Sequence, residues 1–252
     1  MAPRTVTVRL ASGLHFTRFA ADRGLGRAMA RDAFERSELA CAIRHVKPGD
    51  VAIDGGAHLG VYTLLLAQHV GPSGRVYAFE PHPETCALLS ATVASNGLEG
   101  RITVRAAAVG EVSSPGALLS ARRCSAHAHA RLAPRDARTG RGARVFPSDI
   151  VALDDLTLQR RVALLKLDVE GAELLAIRGA LRLIRRDRPA ILCELADDQS
   201  RHVSGASSDG VIEALMDAGY RAREIRFDGS AGARLESPPT ARSSTVLFLP
   251  DD

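Results

Sequence analysis

The chain of 252 residues is long enough for one large α/β domain with its own hydrophobic core. Hydrophobic residues make up 46% of the chain and charged residues 25%, which is ordinary for a globular protein and excludes wholesale disorder. The net charge of +4 is too mild, and the aromatic content of 4% too low, to indicate a nucleic-acid-binding face.

Nothing in the sequence indicates a membrane or an export signal. No window approaches 18 uninterrupted apolar residues, so we expect no transmembrane helix. The segment from Met1 to Arg9 has no apolar signal core, so we expect a cytoplasmic protein. The cysteines lie far apart and are expected to be free thiols in a reducing compartment. They are Cys41, Cys86, Cys124 and Cys193.

The N-terminal 47 residues are expected to form a hairpin and a helix that pack on the main domain. Apolar and polar residues alternate over 4–19 around the turn-like Ala11-Ser12-Gly13, which predicts a β-hairpin. Apolar residues recur at helical intervals from Asp22 to His45 and stop before Pro48-Gly49.

From residue 48 to the end, short apolar runs alternate with helical segments. This pattern predicts right-handed crossovers and a doubly wound, mostly parallel sheet of seven strands, covered on both faces. The predicted strands are 51–53, 75–79, 102–106, 162–167, 189–193, 220–227 and 245–249. The predicted helices are 60–70, 83–95, 172–186 and 209–218.

An arginine-rich insertion at about 111–147 interrupts this alternation. It contains seven arginines, together with His127 and His129 and many Ser, Pro and Gly residues. A segment of this length without a strand or helix pattern is usually a lid, a binding loop or a disordered insert. We therefore expect an irregular surface insertion near the ligand-binding edge of the sheet.

The strongest motif is the run from Asp54 to Gly60, in which a strand ends in an acid and passes through glycines into a helix. In a doubly wound sheet this turn lies at the ligand crevice. The dinucleotide pattern G-x-G-x-x-G fails at Ala57, and an acid at the strand end is a poor neighbour for phosphates. The turn favours a ligand that is positively charged and lacks phosphate, such as S-adenosylmethionine (SAM). The residues expected to surround it are Asp54, Gly55, Gly56, Ala57, His58 and Gly60.

Two later strand ends extend this site. Glu80 ends the second strand of the main domain, before Pro81, where a carboxylate can accept two hydrogen bonds from a ribose diol. The stretch from Ala106 to Gly110 is interpreted as a turn whose small residues Ala107 and Ala108 admit an adenine edge.

A second acidic motif follows the strand at 162–167. Side chains of a strand alternate between faces, so Lys166 and Asp168 point the same way, and Glu170 follows at the crevice. A buried lysine beside two acids is either a structural ion pair or part of the site. Glu194 ends the next strand and adds a carboxylate to the same edge.

Together these motifs resemble the FkbM-type SAM-dependent methyltransferases over about residues 30–200. The resemblance implies a class I methyltransferase fold and methyl transfer to a hydroxyl of a small molecule, such as a sugar or a secondary metabolite. It also implies that Asp54, Gly56 and Gly60 surround the amino-acid end of SAM, that Glu80 binds its ribose, and that Asp168 faces its methyl group. The resemblance also places an acid at Glu35, which is therefore expected to border the site. The motifs are Lys47 to Gly60, Phe79-Glu80-Pro81, Leu153-Asp154-Asp155-Leu156 and Leu165 to Glu173.

The proton acceptor and the acceptor molecule stay open at this stage. We favour Asp168 as the residue that positions or deprotonates the hydroxyl, with His127 or His129 as alternatives. Asp168, Glu170 and Glu194 could hold Mg²⁺, although we do not expect a required metal. An NAD(P)-dependent oxidoreductase and an RNA- or DNA-modifying or binding protein are the other candidate functions. No segment indicates an oligomer interface. The further candidate bases are Glu170, Glu194, His58 and His82.

Overall fold

A computed structural model of the protein describes residues 4–10, 13–21, 24, 34–121, 131–133, 143–237 and 243–251. The helices within these residues are α1 (Arg36–Arg44), α2 (Val61–Val70), α3 (Pro83–Ser95), α4 (Glu173–Arg178), α5 (Leu181–Asp187), α6 (Asp197–Val203) and α7 (Asp209–Asp217). The first strands are β1 (Thr5–Arg9), β2 (His15–Phe19), β3 (Val51–Gly55), β4 (Arg75–Phe79), β5 (Ile102–Arg105), β6 (Ala107–Val109) and β7 (Ser114–Ala121). The others are β8 (Arg131–Ala133), β9 (Ala143–Val151), β10 (Val162–Leu167), β11 (Ala190–Leu195), β12 (Tyr220–Ile225), β13 (Ala231–Arg234) and β14 (Ser244–Pro250).

The central sheet has eight strands in the order β13-β12-β14-β11-β10-β3-β4-β5. The five strands from β11 to β5 are parallel, whereas β14 lies antiparallel to both β11 and β12. The doubly wound, mostly parallel sheet is therefore confirmed. Its seven expected strands are present, and β13 adds an eighth at the edge beyond β12.

Two hydrophobic clusters cover the two faces of this sheet. Leu165 and Ile191 pack into one cluster, with α4, α5 and α7. Leu164 and Leu192 pack into the other, with α2, α3 and the hairpin residue Phe16. Neighbouring residues of one strand thus face opposite layers, which is why the central parallel strands carry apolar residues on both faces.

The N-terminal hairpin pairs β1 with β2, as predicted. Phe16 and Phe19 are buried in the same cluster as Cys41 of α1. The helix expected from Asp22 to His45 is described over Arg36–Arg44, and the segments 22–23 and 25–33 lie outside the described residues. The three described cysteines, Cys41, Cys86 and Cys193, are free and buried.

The expectation of an irregular insertion at about 111–147 is wrong over its described residues. Strands β7, β8 and β9 form a small sheet with β6, in the order β6-β9-β7-β8. Ser114 to Ala121 pair with Ile150 to Ala143 along the whole of β7. The strands are weakly apolar, but the long-range pairing stabilises them, because strand preference depends strongly on context.

Two further expectations about local structure are wrong. The stretch around Ala107 and Ala108 is a short strand, β6, rather than a turn, because it pairs with β9. The helix expected over 172–186 is divided into α4 and α5 at Gly179. A Cβ atom at Gly179 would lie 2.0 Å from the Gly110 carbonyl oxygen, so the small sheet and this break pack directly together. None of the described helices is long and apolar enough to cross a membrane.

Candidate active site

The acids predicted at strand ends lie side by side where the parallel strands of the central sheet have their carboxyl ends. Asp54 pairs in register with Lys166 across β3 and β10, and Lys166 pairs with Leu192 across β10 and β11. Asp168 and Glu194 therefore follow at neighbouring positions, on the face that also carries Lys166. This placement agrees with the alternation predicted from the sequence.

The turn between β3 and α2 is fixed by backbone hydrogen bonds and by glycine. The amides of Gly56 and Ala57 both donate to the Phe79 carbonyl at the end of β4, at 3.0 and 2.9 Å. Gly56 has φ of 77°, and a Cβ atom there would lie 1.8 Å from the Asp168 carbonyl oxygen. The turn is thus pressed against the end of β10 and leaves no room for a side chain at Gly56.

Glu80 is buried beneath this turn and holds it to β4. Its Oε2 accepts a hydrogen bond from the His58 amide at 2.9 Å, and its Oε1 accepts one from the His82 amide at 2.8 Å. Burial raises the pKa of Glu80 to about 7, although the two amides lower it in part. His58 itself has φ of 50°, which is uncommon for a residue with a side chain.

Asp54 and Lys166 form a buried ion pair. Asp54 is fully buried, and its Oδ2 accepts a hydrogen bond from Thr63 Oγ1 at 2.6 Å. Its Oδ1 lies 3.4 Å from Lys166 Nζ, which also donates to the Gly56 carbonyl at 3.0 Å. Burial would lower the pKa of Lys166, but the carboxylates of Asp54 and Asp168 raise it above its ordinary value. The lysine therefore carries its charge.

Asp168 and Glu194 form a carboxyl pair at the open end of this network. Lys166 Nζ lies 3.5 Å from Asp168 Oδ2, and the Asp168 side chain is 35% exposed. Burial raises the pKa of Asp168, but Lys166 and a hydrogen bond with Glu194 outweigh it, so that this pKa is lowered. The pKa of Glu194 is raised to about 8, first by burial and then by the charge of Asp168.

Glu35, in the N-terminal part of the chain, adds another carboxylate next to Asp168 and Glu194. It precedes α1 with φ of 39°, and its Oε2 accepts a hydrogen bond from Tyr62 Oη at 2.7 Å. Burial raises the pKa of Glu35. Lys166 Nζ lies 4.9 Å from the centre of the Tyr62 ring, which is within cation–π range.

These groups line a small cavity of about 20 Å³, enough for one water-sized group. Its wall is mostly polar, although the surrounding sheet is apolar. It is lined by Glu35, Tyr62, Lys166, Leu167, Asp168, Leu192, Glu194 and Thr245.

The turn after β10 is held by two side chains. Oε1 of the buried Glu173 accepts hydrogen bonds from the amides of Val169, at 2.9 Å, and Gly171, at 3.2 Å. Glu170 has φ of 55°, and its Oε2 accepts a hydrogen bond from Gln199 Nε2 at 2.8 Å. The Glu170 carboxylate is therefore bound to α6 rather than directed at the cavity.

The structure does not bring all the predicted residues together. Ala107 and Ala108 are buried in β6 and do not line the cavity, and Pro81 is half-buried after β4. His127 and His129 lie outside the described residues. Among the described residues no group of three metal-ligating side chains is placed to hold a metal ion.

Five contributing residues were not among the site residues expected from the sequence. Tyr62 and Thr63 lie in the first turn of α2, directly after the glycine turn, which is a recognisable place for side chains that reach the crevice. Glu173 carries a helix-start signal, an acid in a first helical turn. Ser243 and Thr245 reach Glu194 only through the antiparallel pairing of β14 with β11, and no local signal marks them.

Comparison with known proteins identifies a family. The profile of the Methyltransferase FkbM domain matches residues 54–222, which is more than half of the chain. The 31-O-demethyl-FK506 methyltransferase FkbM of Streptomyces tacrolimicus is 38% identical over 65 residues, which make up 25% of this chain and 25% of that protein.

Among solved structures, the methyltransferase FkbM of Methylobacillus flagellatus is similar with a TM-score of 0.51 at 21% identity, covering 81% of this chain and 44% of that chain. The matched parts are thus less than half of the length of each relative. At this identity the likeness is one of fold, and the fold is that of the class I SAM-dependent methyltransferases. Because the family profile matches more than half of its length, the chain belongs to the FkbM methyltransferase family.

Proposed function

We propose that this protein is an O-methyltransferase that transfers the methyl group of SAM to a hydroxyl of a small molecule, such as a sugar or a secondary metabolite. The observation that supports this most is the carboxyl pair of Asp168 and Glu194, which lies beside a charged lysine and next to the glycine turn. Carboxyl groups within reach of a hydroxyl can orient it and accept its proton.

SAM is the methyl donor of this family and fold, and the residues present fit it. Glu80 has lone pairs left for a ribose diol, because each of its oxygens accepts one amide hydrogen bond and can accept a second. The glycine turn presents backbone without side-chain bulk at Gly56. Asp168 and Glu35 provide negative charge for a ligand that bears a sulfonium and an ammonium group. When bound, SAM supplies an electrophilic methyl group.

The residues of the chain then have separate tasks. Lys166 keeps Asp168 ionised, so Asp168 can accept a hydrogen bond from the acceptor hydroxyl and orient it. Asp54 is fully buried and acts through Lys166 and Thr63. The cavity of about 20 Å³ has room for one hydroxyl-sized group. Orientation of this kind contributes up to roughly 7–11 kcal/mol in favourable intramolecular reactions.

Family membership argues against the NAD(P)-dependent oxidoreductase. No observation on the described residues favours methylation of RNA or DNA.

The test uses SAM labelled with ¹³C in its methyl group and a panel of methyl glycosides, polyhydroxylated macrolides and a short RNA. We expect a labelled methyl ether on a glycoside or a macrolide, identified by carbon NMR. Asp168→Asn is expected to reduce the rate by about a hundredfold, while Asp217→Asn, an exposed aspartate at the end of α7, leaves it unchanged. A label on nitrogen, on carbon or on the RNA would contradict the proposal.

A further inference from the structure

The two carboxyls at the cavity have unequal surroundings. Asp168 is bound to Lys166, whose ammonium is itself held by Asp54 and by the Gly56 carbonyl. Glu194 lies one strand further, on β11, and no ion pair joins it to a cation among the described residues. Its Oε1 accepts a hydrogen bond from Ser243 Oγ, and it shares a hydrogen bond with Asp168.

This asymmetry decides which carboxyl carries the shared proton. A carboxylate beside a buried ammonium is stabilised as an anion and is a weak base. Two carboxyls in contact cannot both ionise easily, so the one that lies farther from the Lys166 ammonium keeps the proton. Glu194 is that carboxyl, and it is also the stronger base of the two once it is ionised.

We propose that Glu194 accepts the proton of the acceptor hydroxyl, while Asp168 orients that hydroxyl; this inference rests on the proposed function. In the reaction the hydroxyl oxygen forms a bond to the methyl carbon and the carbon–sulfur bond breaks. The electron pair of that bond stays on sulfur, which becomes a neutral thioether. The hydroxyl proton moves to the ionised carboxylate of Glu194, so charge and atoms balance.

The groups that face Glu194 come from four elements. Asp168 and Lys166 belong to the β10 strand end, whereas Glu170, in the next turn, acts on Glu194 through its charge while its carboxylate is bound to Gln199. Ser243 directly precedes β14, and Thr245 is its second residue. Glu35 and Tyr62 close the far side of the cavity. Asp168 and Glu170 raise the pKa of Glu194 and Ser243 lowers it, in addition to the burial that raises it first.

The first experiment needs neither cofactor nor acceptor. The protein is labelled with ¹³C at the glutamate side-chain carboxyls, and the resonance that disappears in Glu194→Gln is followed as the pH changes. We expect a midpoint near 8. Asp168→Asn should lower this midpoint, because it removes the neighbouring charge. A midpoint in the ordinary glutamate range of about 4 to 5 would overturn the inference.

The second experiment links this titration to the reaction. The rate of methyl transfer to the glycoside or macrolide methylated in the panel should rise with pH and level off above about 8. In Glu194→Gln the rate should fall by about a hundredfold or more and lose this rise. Ser243→Ala removes a hydrogen bond that lowers the pKa of Glu194, so the NMR midpoint and the kinetic midpoint should both move up by the same amount.

The results separate the two proposals. If the NMR midpoint moves in Ser243→Ala but the kinetic midpoint does not, Glu194 is a structural partner of Asp168 and the inference is wrong, although O-methylation stands. If the wild-type protein gives no methyl ether, the proposed function fails, and with it this role of Glu194. The carboxyl titration is still measured in that case, and reports only how the pair holds its proton.

Discussion

In the proposed function Glu80 has two roles, and they favour opposite charge states of its carboxyl group. It closes the glycine turn by accepting the amide hydrogen bonds of His58 and His82, and it is buried beneath that turn. Burial favours its neutral form and raises its pKa to about 7. A ribose diol donates hydrogen bonds and therefore favours the ionised form. If Glu80 binds the ribose, as we propose, binding of SAM is coupled to the loss of a proton from Glu80.

We expect the affinity for SAM to increase between pH 6 and pH 8, because the ionised form of Glu80 then becomes the main one. Glu80→Gln should weaken binding by about tenfold to a hundredfold, since a hydrogen bond to a charged group contributes roughly 1.5–3 kcal/mol. This variant should also bind with less dependence on pH. Isothermal titration calorimetry at pH 6, 7 and 8 measures both effects.

The matched control is Glu99→Gln, which changes an exposed glutamate in the turn after α3. Its affinity should follow that of the wild-type protein at each pH. Equal SAM affinity in Glu80→Gln and the wild-type protein would show that Glu80 holds the turn and does not bind ribose.

Lys166 shows how far single residues can be interpreted from the sequence. Strand alternation predicted that it shares a face with Asp168, and the 3.5 Å contact between them agrees with this. The sequence leaves open whether Lys166 has a structural or a functional role, and its contacts in the structure support both roles. It is buried between Asp54 and Asp168, so it neutralises one acid and keeps the other ionised.

At the scale of secondary-structure elements, the site depends on the close approach of β3 and β10 at their carboxyl ends. The turn at Gly56 contacts the Asp168 backbone, and this contact sets where the Asp168 side chain begins. Any side chain at Gly56 would separate the two strand ends. The glycine is therefore required for space as well as for its positive φ.

Gly56→Ala is expected to be strongly destabilising and to abolish SAM binding, because its Cβ would lie 1.8 Å from a backbone oxygen that cannot move independently. The control is Gly97→Ala, which has φ of 63° but has nothing within 4 Å of the added Cβ. It should cost only about 1 kcal/mol of backbone strain and keep SAM binding. Urea unfolding measures the stability of the two variants, and calorimetry measures their affinity for SAM. Similar losses of stability and affinity in both variants would contradict the steric argument.

The parallel half of the sheet was predicted well because each of its strands is a short segment rich in apolar and β-branched residues between recognisable turns. The small sheet of β6 to β9 was not predicted. Ser114 to Ala121 has no clear apolar run, and its pairing with β9 brings together residues that are far apart in the sequence. Likewise, Gly179 divides α4 from α5 because of its contact with Gly110, which no local pattern indicates.

At the scale of the whole molecule, the site is assembled from both ends of the chain. The motifs at Asp54, Glu80 and Asp168 placed the acids of the sheet edge, because parallel strands bring their carboxyl ends to one edge. The sequence also suggested Glu35, through the resemblance to a family. It could not indicate Ser243, whose contact with Glu194 follows from the order of the strands in the folded sheet.

The fold also binds protons that the unfolded chain would release. The pKa values of Glu80 and Glu173 are raised from 4.5 to about 7, and that of Glu194 is raised to about 8, with burial as the first cause in each case. A raised acid pKa stabilises the fold fully below the unfolded value of 4.5. That contribution is lost as the pH rises through 7 to 8, because the folded state must then hold buried charges.

We therefore expect the melting temperature to fall as the pH is raised from 6 to 8.5, and to level off above that. Each proton contributes at most about 1.4 kcal/mol per pH unit, and solvent reduces the share of the half-buried Glu194. Glu173→Gln should make the decrease shallower, because its side chain keeps an oxygen for the amides of Val169 and Gly171 but no longer titrates. Glu99→Gln should leave the slope unchanged. Differential scanning calorimetry measures the slopes, and a melting temperature that rises over this pH range would show that these carboxyls are ionised in the folded protein.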